Sequence, residues 1–331
     1  MELAFPDRLM AGDTIRVIAP SNSMGVVSAD NRAVAVKALE RLDLHVTFGR
    51  YVDECDIMRS SSVKSRVDDL HEAFRDPSVK AVLTVLGGYN SNQLLDCLDY
   101  DLIRANPKIL CGFSDITALA NAIYHKTGLV SYSGMHFSSF AMQKGCEYSI
   151  QAFKRALFTE DSLEPLPSPQ WSDDAWYLDQ QNRIFRENPG YKIIQPGSAE
   201  GRIIGGNLGT LQLLRGTPYM PSLEGAILFL EEVSNSKGTD IYEFDRNLQS
   251  LMQAPDFKGV KAIVLGRFEN NFGMTDEKLR YILSKRALRD MPIIANADFG
   301  HTTPIFTFPI GGHASLSAEA HDSISIRIDQ L

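Results

Sequence analysis

Apolar and polar positions in the first half of the chain switch repeatedly between two periods. Thr14–Ala19 (TIRVIA) is short, apolar and β-branched, and Pro20-Ser21-Asn22-Ser23 closes it, which predicts a strand. Over residues 29–42, Val34, Ala38, Leu39 and Leu42 recur at helical spacing. Leu44–Phe48 predicts a second strand, and Val63–Phe74 a helix with Val67, Leu70 and Phe74 on one face. Lys80–Leu86 is a nearly continuous apolar run ending at Gly87-Gly88, the pattern of a strand buried on both faces. Gln93–Leu98 predicts a short helix, Lys108–Gly112 a brief strand, and Ile116–Tyr124 a helix just after Ser114. Strand and helix in alternation imply a mostly parallel sheet with helices on both sides.

The texture changes between about residues 160 and 200. Leu163–Trp171 holds three prolines, and the stretch to Gly201 is polar, aromatic and irregular. A segment of this length without regular structure reads as a linker or a functional loop. Apolar strands then return at Ala226–Leu230, Ala262–Leu265, Ile293–Ala295 and Ser323–Ile328. The expected fold is α/β, a doubly wound, mostly parallel N-terminal domain followed by a smaller, strand-rich α/β domain. The boundaries fall at 1–160 for the first domain, 161–200 for the linker and substrate loop, and 201–331 for the second. No internal repeat or low-complexity tract is evident.

Composition narrows the function. With 44% hydrophobic and 22% charged residues, the 331-residue chain is globular. A formal net charge of −8 argues against a nucleic-acid polymer as partner, while a local field still permits a small anionic substrate. Cys55, Cys97, Cys111 and Cys146 lie far apart without zinc-like spacing, which suggests reduced thiols in a reducing compartment. Pro6-Asp7-Arg8 follows Met1-Glu2 before any apolar run, and no apolar stretch approaches membrane-spanning length. The expected location is cytoplasmic, with no membrane partner.

Four segments could carry chemistry. In Cys111-Gly112-Phe113-Ser114-Asp115, a serine sits between a buried strand and an amphipathic helix. A sharp turn there would project the hydroxyl, with N–H groups at the helix start facing a developing oxyanion. Ile116 replaces the second glycine of the esterase pattern, and the alternative is a serine that caps the helix. Gly87-Gly88-Tyr89-Asn90 falls on the same carboxyl edge of the sheet and suits either an oxyanion hole or an ordinary tight turn. Glu231-Glu232 ends an apolar strand, where an acid could orient a histidine or simply emerge into solvent. His301, in Asp298-Phe299-Gly300-His301-Thr302, combines a strand-end loop, a glycine hinge and nearby hydroxyls, with His313 and His136 as rivals. Gly205-Gly206-Asn207-Leu208 lacks the Lys-Ser/Thr ending of a P-loop, so it reads as a turn into the helix Leu208–Leu214 rather than a nucleotide-cofactor site.

In order along the chain, Gly12-Asp13-Thr14, Ala19-Pro20-Ser21, Gly87-Gly88-Tyr89-Asn90-Ser91, Gly112-Phe113-Ser114-Asp115, Gly205-Gly206-Asn207-Leu208, Gly216-Thr217-Pro218-Tyr219, Leu228-Phe229-Leu230-Glu231-Glu232 and Gly300-His301-Thr302 resemble the LD-carboxypeptidase family of serine peptidases. The resemblance is to its microcin C immunity branch in particular. It implies a Ser-Glu-His triad of Ser114, Glu231 and His301, with Glu231 preferred to Glu232 as the first glutamate of its segment. It further implies an oxyanion hole from the backbone N–H groups of Gly88 and Asp115, and substrate contacts at Gly87, Tyr89, Asn207 and Trp176. The long connection between domains carries the only two tryptophans, Trp171 and Trp176. Trp176 is assigned to stacking on a nucleobase, the alternative being that one or both indoles cover apolar surface. No metal or organic cofactor is expected, and a homodimer is. The implied reaction is hydrolysis of an amide bond near a carboxyl terminus in a small peptide, peptidyl-nucleotide or aminoacyl-adenylate-like substrate. A murein tetrapeptide carboxypeptidase and a catalytically inactive ligand-binding homologue are the alternatives.

Overall fold

Five short apolar runs, β1 (Thr14–Ile18), β2 (His45–Phe48), β3 (Val79–Thr84), β4 (Ile109–Cys111) and β5 (Ser131–Ser133), lie parallel in the order β2-β1-β3-β4-β5. The computed structural model describes residues 3–235, 238–285, 288, 291–319 and 323–329; Met1, Glu2 and the last two positions, which the sequence reading places in the terminal domains, lie outside them. Helices α1 (Ala29–Glu40), α2 (Val63–Arg75), α3 (Tyr100–Ala105) and α4 (Thr117–Thr127) connect successive strands. Ser28 and Ser62 cap α1 and α2 by accepting from the N–H groups of Asn31 and Ser65, satisfying donors that a helix start leaves free. Because the chain leaves β1 in one direction for β2 and resumes on its other side at β3, the loops after β1 and β3 part. That divergence opens a crevice at the carboxyl edge of the sheet.

After α5 (Glu147–Phe158), the antiparallel pair β6 (Gln170–Trp171) and β7 (Arg186–Glu187) precedes a second sheet. Its parallel centre is β9 (Gly197–Asn207), β10 (Ala226–Glu231), β11 (Ala262–Gly266) and β12 (Ile293–Ala297). Strand β8 (Lys192–Gln195) pairs antiparallel with β12, and β14 (His313–Ala318) and β15 (Ile324–Asp329) extend the other edge. Helices α6 (Leu208–Gln212), α7 (Asp240–Met252) and α8 (Asp276–Ser284) follow β9, β10 and β11. The fold is α/β, a parallel first sheet followed by a strand-rich second one. Strand β13 (Phe308–Ile310) crosses back to pair antiparallel with β5 of the first sheet. There Phe308 packs 5.0 Å from Phe229 of β10, and Phe299 lies 5.7 Å from the same ring. Buried side chains of both sheets form one cluster, so the two sheets pack against each other.

Three local expectations differ from the structure. The helix expected over Gln93–Leu98 is a 3-10 turn, Ser91–Cys97, since a segment so short gains too few i→i−4 bonds to repay nucleation. The stretch 161–200, read as irregular, contains β6, β7 and β8. The segment around Gly205-Gly206, read as a turn, is the end of the long strand β9; its glycines supply no side chains for a period-2 pattern. Among the described residues, no helix is long and apolar enough to cross a membrane.

Candidate active site

The carboxyl ends of β4, β10 and β12 bring Ser114, Glu231 and His301 together. Ser114 Oγ lies 3.0 Å from His301 Nε2, and His301 Nδ1 lies 2.7 Å from Glu231 Oε2. Ser114 stands at the corner between β4 and the 3-10 turn Ser114–Ile116 that runs into α4, with a left-handed φ of 60°. A residue with a Cβ pays roughly 1–2 kcal/mol for that conformation. Phe113 precedes the turn and Ile116 precedes α4, and neither end has a side-chain cap. The capping alternative for Ser114 is therefore not realised, because its hydroxyl is engaged by His301 instead.

The two glutamates that end β10 point to different partners, as successive residues of an extended chain do. Glu231 is 3% exposed and faces His301, and its Oε1 is buried with no partner among the described residues. Glu232 faces the start of α6, where it accepts from Asn207 Nδ2 and from the N–H of Gly209, each at 3.0 Å. Burial, and then the neighbouring Glu231 charge, pushes the Glu232 carboxyl up to about 7. Burial also raises Glu269, which accepts from the N–H of Ser234. For His301, burial works against the charged ring, but the Glu231 charge and hydrogen bond, with Glu269 and Glu232 behind them, outweigh it. Its pKa is held above the ordinary histidine value.

The turn bearing His301 is fixed by the fully buried Asp298, which pairs with Arg267 at 2.5 Å and accepts from the N–H of Ser168 at 2.7 Å. The rival histidines have other partners. His313 lies on β14, 3.2 Å from Asp329. His136 is buried, bonded at 2.7 Å to Thr84 Oγ1 and stacked on Phe113, and burial followed by the His301 charge pushes it down to about 3. Phe113 meets the His301 ring edge-on at 5.4 Å, so His136 braces the site from beneath without reaching it.

Gly87 borders the serine. A Cβ there would fall 2.8 Å from Ser114 Cβ and 3.5 Å from the Asp115 nitrogen, so only glycine allows this approach. The Gly87 carbonyl accepts from the N–H of Asn22 at 3.1 Å, which in a trans peptide turns the Gly88 N–H the opposite way. Among the described residues, no acceptor in the chain takes the N–H of Gly88 or of Asp115. Tyr89 is 92% exposed, whereas Asn207 is buried, its Oδ1 capping α6 through the N–H of Thr210. Trp171 lies between the guanidinium groups of Arg186 and Arg267, with ring distances of 5.3 and 5.0 Å. Trp176 is half-buried and meets only the edge of Tyr177 among aromatic partners of the described residues. No group of three or more His, Cys, Asp and Glu among the described residues is placed to hold a metal ion.

Several residues that build the site carry no local signal in the sequence. The Asp115 carboxylate, Ser21 and Arg66 hold the Gly87–Asn90 loop through bonds to positions far away along the chain. Thr117 Oγ1 accepts from the N–H of Asn207, and Asn121 Nδ2 donates to the Gly205 carbonyl, fastening α4 to the end of β9.

The LD-carboxypeptidase N-terminal domain matches residues 15–134, which include Ser114, and the LD-carboxypeptidase C-terminal domain matches residues 200–316, which include Glu231 and His301. The chain belongs to the LD-carboxypeptidase family. Within that family its likenesses place it in the microcin C immunity branch. It is 56% identical to the solved MccF-like protein from Bacillus anthracis, with a TM-score of 0.98 over 99% of this chain and 100% of that one. It is 35% identical to the microcin C7 self-immunity protein MccF of Escherichia coli over 92% of this chain and 90% of MccF. MccF has also been solved in complex with aspartyl sulfamoyl adenosine, and that structure matches with a TM-score of 0.88 at 30% identity, covering 98% of each chain. The murein tetrapeptide carboxypeptidase of Pseudomonas aeruginosa is 30% identical over 77% of this chain and 76% of its own. Membership in this family makes a carboxypeptidase activity the frame for the site.

Proposed function

We propose that the protein is a serine peptidase that hydrolyses an amide bond near a carboxyl terminus, with peptidyl-nucleotide or aminoacyl-adenylate-like compounds as its substrates. The observation that carries this reading is the bonded chain Ser114 Oγ to His301 to Glu231, beside two unengaged N–H groups. His301 takes the Ser114 proton as the hydroxyl attacks the carbonyl carbon, giving a tetrahedral adduct. The N–H groups of Gly88 and Asp115 receive the oxyanion, where removal of one such donor typically costs about 10²–10³ in kcat. Glu231 holds the imidazole with its Nδ1 protonated and stabilises the imidazolium. His301 then protonates the leaving nitrogen and the acyl-enzyme forms; water, giving its proton to His301, attacks the ester carbonyl, and the acid leaves as Ser114 Oγ takes that proton back.

The aspartyl sulfamoyl adenosine bound by MccF supports the nucleotide-bearing substrate class, as does the half-buried indole of Trp176 in the segment between the sheets. In this reading residues 161–200 connect two docked domains, 1–160 and 201–331, and shape the substrate site. The four unpaired cysteines support a reducing, cytoplasmic setting. A murein tetrapeptide is the second reading, favoured by the likeness to the Pseudomonas aeruginosa enzyme. A binding protein without turnover is disfavoured by the intact hydrogen-bonded chain. Incubation with aspartyl sulfamoyl adenosine and with murein tetrapeptide, followed by mass spectrometry, tests the assignment. The expected products are aspartate and sulfamoyl adenosine. Release of D-alanine with the nucleotide untouched moves the assignment to murein, and undiminished turnover by Ser114→Ala overturns the mechanism.

A further inference from the structure

The two N–H groups assigned to the oxyanion come from different loops. One belongs to Asp115, on the turn after β4, and the other to Gly88, after β3. To act on one oxygen they must be held in register within a fraction of an ångström. A single side chain spans both. Asp115 is 2% exposed, and its Oδ2 accepts from the N–H of Asn90 at 3.0 Å, the N–H of Ser91 at 2.8 Å and Ser21 Oγ at 2.5 Å. The Ser91 hydroxyl returns a bond of 2.7 Å to the Asp115 carbonyl. Ser21 itself is fully buried and lies against Gly88, where a Cβ would come within 2.3 Å of its hydroxyl. From the far side Arg66, also buried, donates to the Asn90 carbonyl at 3.0 Å, to Gln93 Oε1 at 2.7 Å and to the Pro20 carbonyl at 3.2 Å. Burial lowers the Arg66 pKa, against the opposing charges of Asp56 and then Asp115.

We propose that the Asp115 carboxylate is a positioning residue for the oxyanion hole, clasping the Gly87–Ser91 loop to the serine turn so that the Gly88 and Asp115 N–H groups converge. The inference rests on the serine-peptidase reading and adds a role to a side chain that touches no reacting atom. One oxygen taking three donors is an arrangement that a carboxylate sustains and a neutral acceptor sustains more weakly, since charge-assisted hydrogen bonds are roughly twice as strong. Asp115→Asn keeps the volume and one oxygen while dropping the charge. Ser21→Ala removes one donor and frees the space beside Gly88.

Three measurements on the full chain test the clasp. Steady-state kinetics of both variants on the substrate the wild type cleaves should show kcat down about 10- to 100-fold for Asp115→Asn, with KM within about twofold. Ser21→Ala should move the same way by less. A peptidyl boronic acid, which forms a tetrahedral adduct on Ser114, should lose affinity in proportion to the loss of kcat. Amide hydrogen exchange at Asn90 and Ser91 should quicken in both variants, a readout that needs no substrate. Unchanged kcat in either folded variant, or lowered kcat with unaltered boronate affinity, overturns the positioning role; if Asp115→Asn does not fold, Ser21→Ala decides it alone. Slow exchange in an active variant overturns the clasp while leaving the peptidase reading intact. Wild-type protein that cleaves neither substrate overturns the peptidase reading and the catalytic role with it, and exchange then reports only on the loop.

Discussion

Ser114 Oγ and His301 Nε2 are 3.0 Å apart although their residues stand 187 positions apart in the chain, and each sits on the carboxyl edge of a different sheet. The distance therefore depends on how the sheets dock, through β13, the Phe229–Phe308 contact and the bonds from α4 to the end of β9. Asn121→Ala removes one of these seam bonds, so it should lower kcat without touching the site.

The left-handed backbone of Ser114 separates stability from activity. Ser114→Gly adopts φ 60° without steric penalty, although it raises the entropy of the unfolded chain. We expect Ser114→Gly to exceed Ser114→Ala in stability by about 1 kcal/mol in urea unfolding, with both inactive. Equal stabilities would show that the turn stores no strain.

In the proposed mechanism His301 is neutral when it accepts the Ser114 proton, so activity should fall as pH drops through its raised pKa. The effect on stability runs the other way. With its folded pKa above the unfolded value near 6.5, His301 contributes stability that is complete below 6.5 and lost as pH rises through the folded value. Glu231→Gln removes the carboxylate that raises it. The residual activity should be about 10³- to 10⁴-fold lower, and its acidic limb should move to lower pH. A limb that stays in place in a pH profile of kcat/KM assigns the titration to another group.

Glu232 shows the same direction for a carboxyl. Its folded pKa of about 7 lies above the ordinary 4.5, so the folded state holds a proton that the unfolded state releases. Stability is then highest below 4.5 and declines as pH rises to 7. Glu232→Gln should flatten this decline, which amounts to about 1–3 kcal/mol by linkage for a group so buried. Urea unfolding of the two proteins at pH 5 and pH 8 reads it directly. A wild-type stability that rises over that interval contradicts the direction.

Much of this arrangement was legible in the sequence where interactions are local. The apolar run before Gly87-Gly88 became β3, the short run before Ser114 became β4, and the strand before Glu231 became β10. Periodicity fails where side chains are missing or partners are distant. The glycines of β9 conceal a strand, and Asp115, named in the sequence only for its backbone N–H, commits its carboxylate to Ser21, 94 positions earlier. The φ of Ser114 has no signature in residue type, because it is imposed by the packing on either side of the turn. The ordered set of motifs, rather than any single spacing, connected Ser114 to Glu231 and His301.

The two tryptophans, indistinguishable in sequence, differ in what they touch. Trp171 is caught between Arg186 and Arg267, and Arg267 also anchors Asp298 below the His301 turn. Truncating Trp171 removes two cation–π contacts, each worth about 0.5–2 kcal/mol, and loosens a buried ion pair. Trp171→Ala should therefore lower Tm. Trp176 has no such cations about its ring among the described residues; it packs in part against the apolar core, and in the proposed reading its exposed part meets the nucleobase. Stacking of one base on an aromatic ring is worth roughly 1–3 kcal/mol, so Trp176→Ala should raise KM for aspartyl sulfamoyl adenosine about 5- to 100-fold. KM for a murein tetrapeptide, which has no base to stack, should not change. An equal rise for both substrates would mean that Trp176 shapes the loop rather than holding the nucleobase, and a rise confined to Trp171→Ala would transfer the role to that residue.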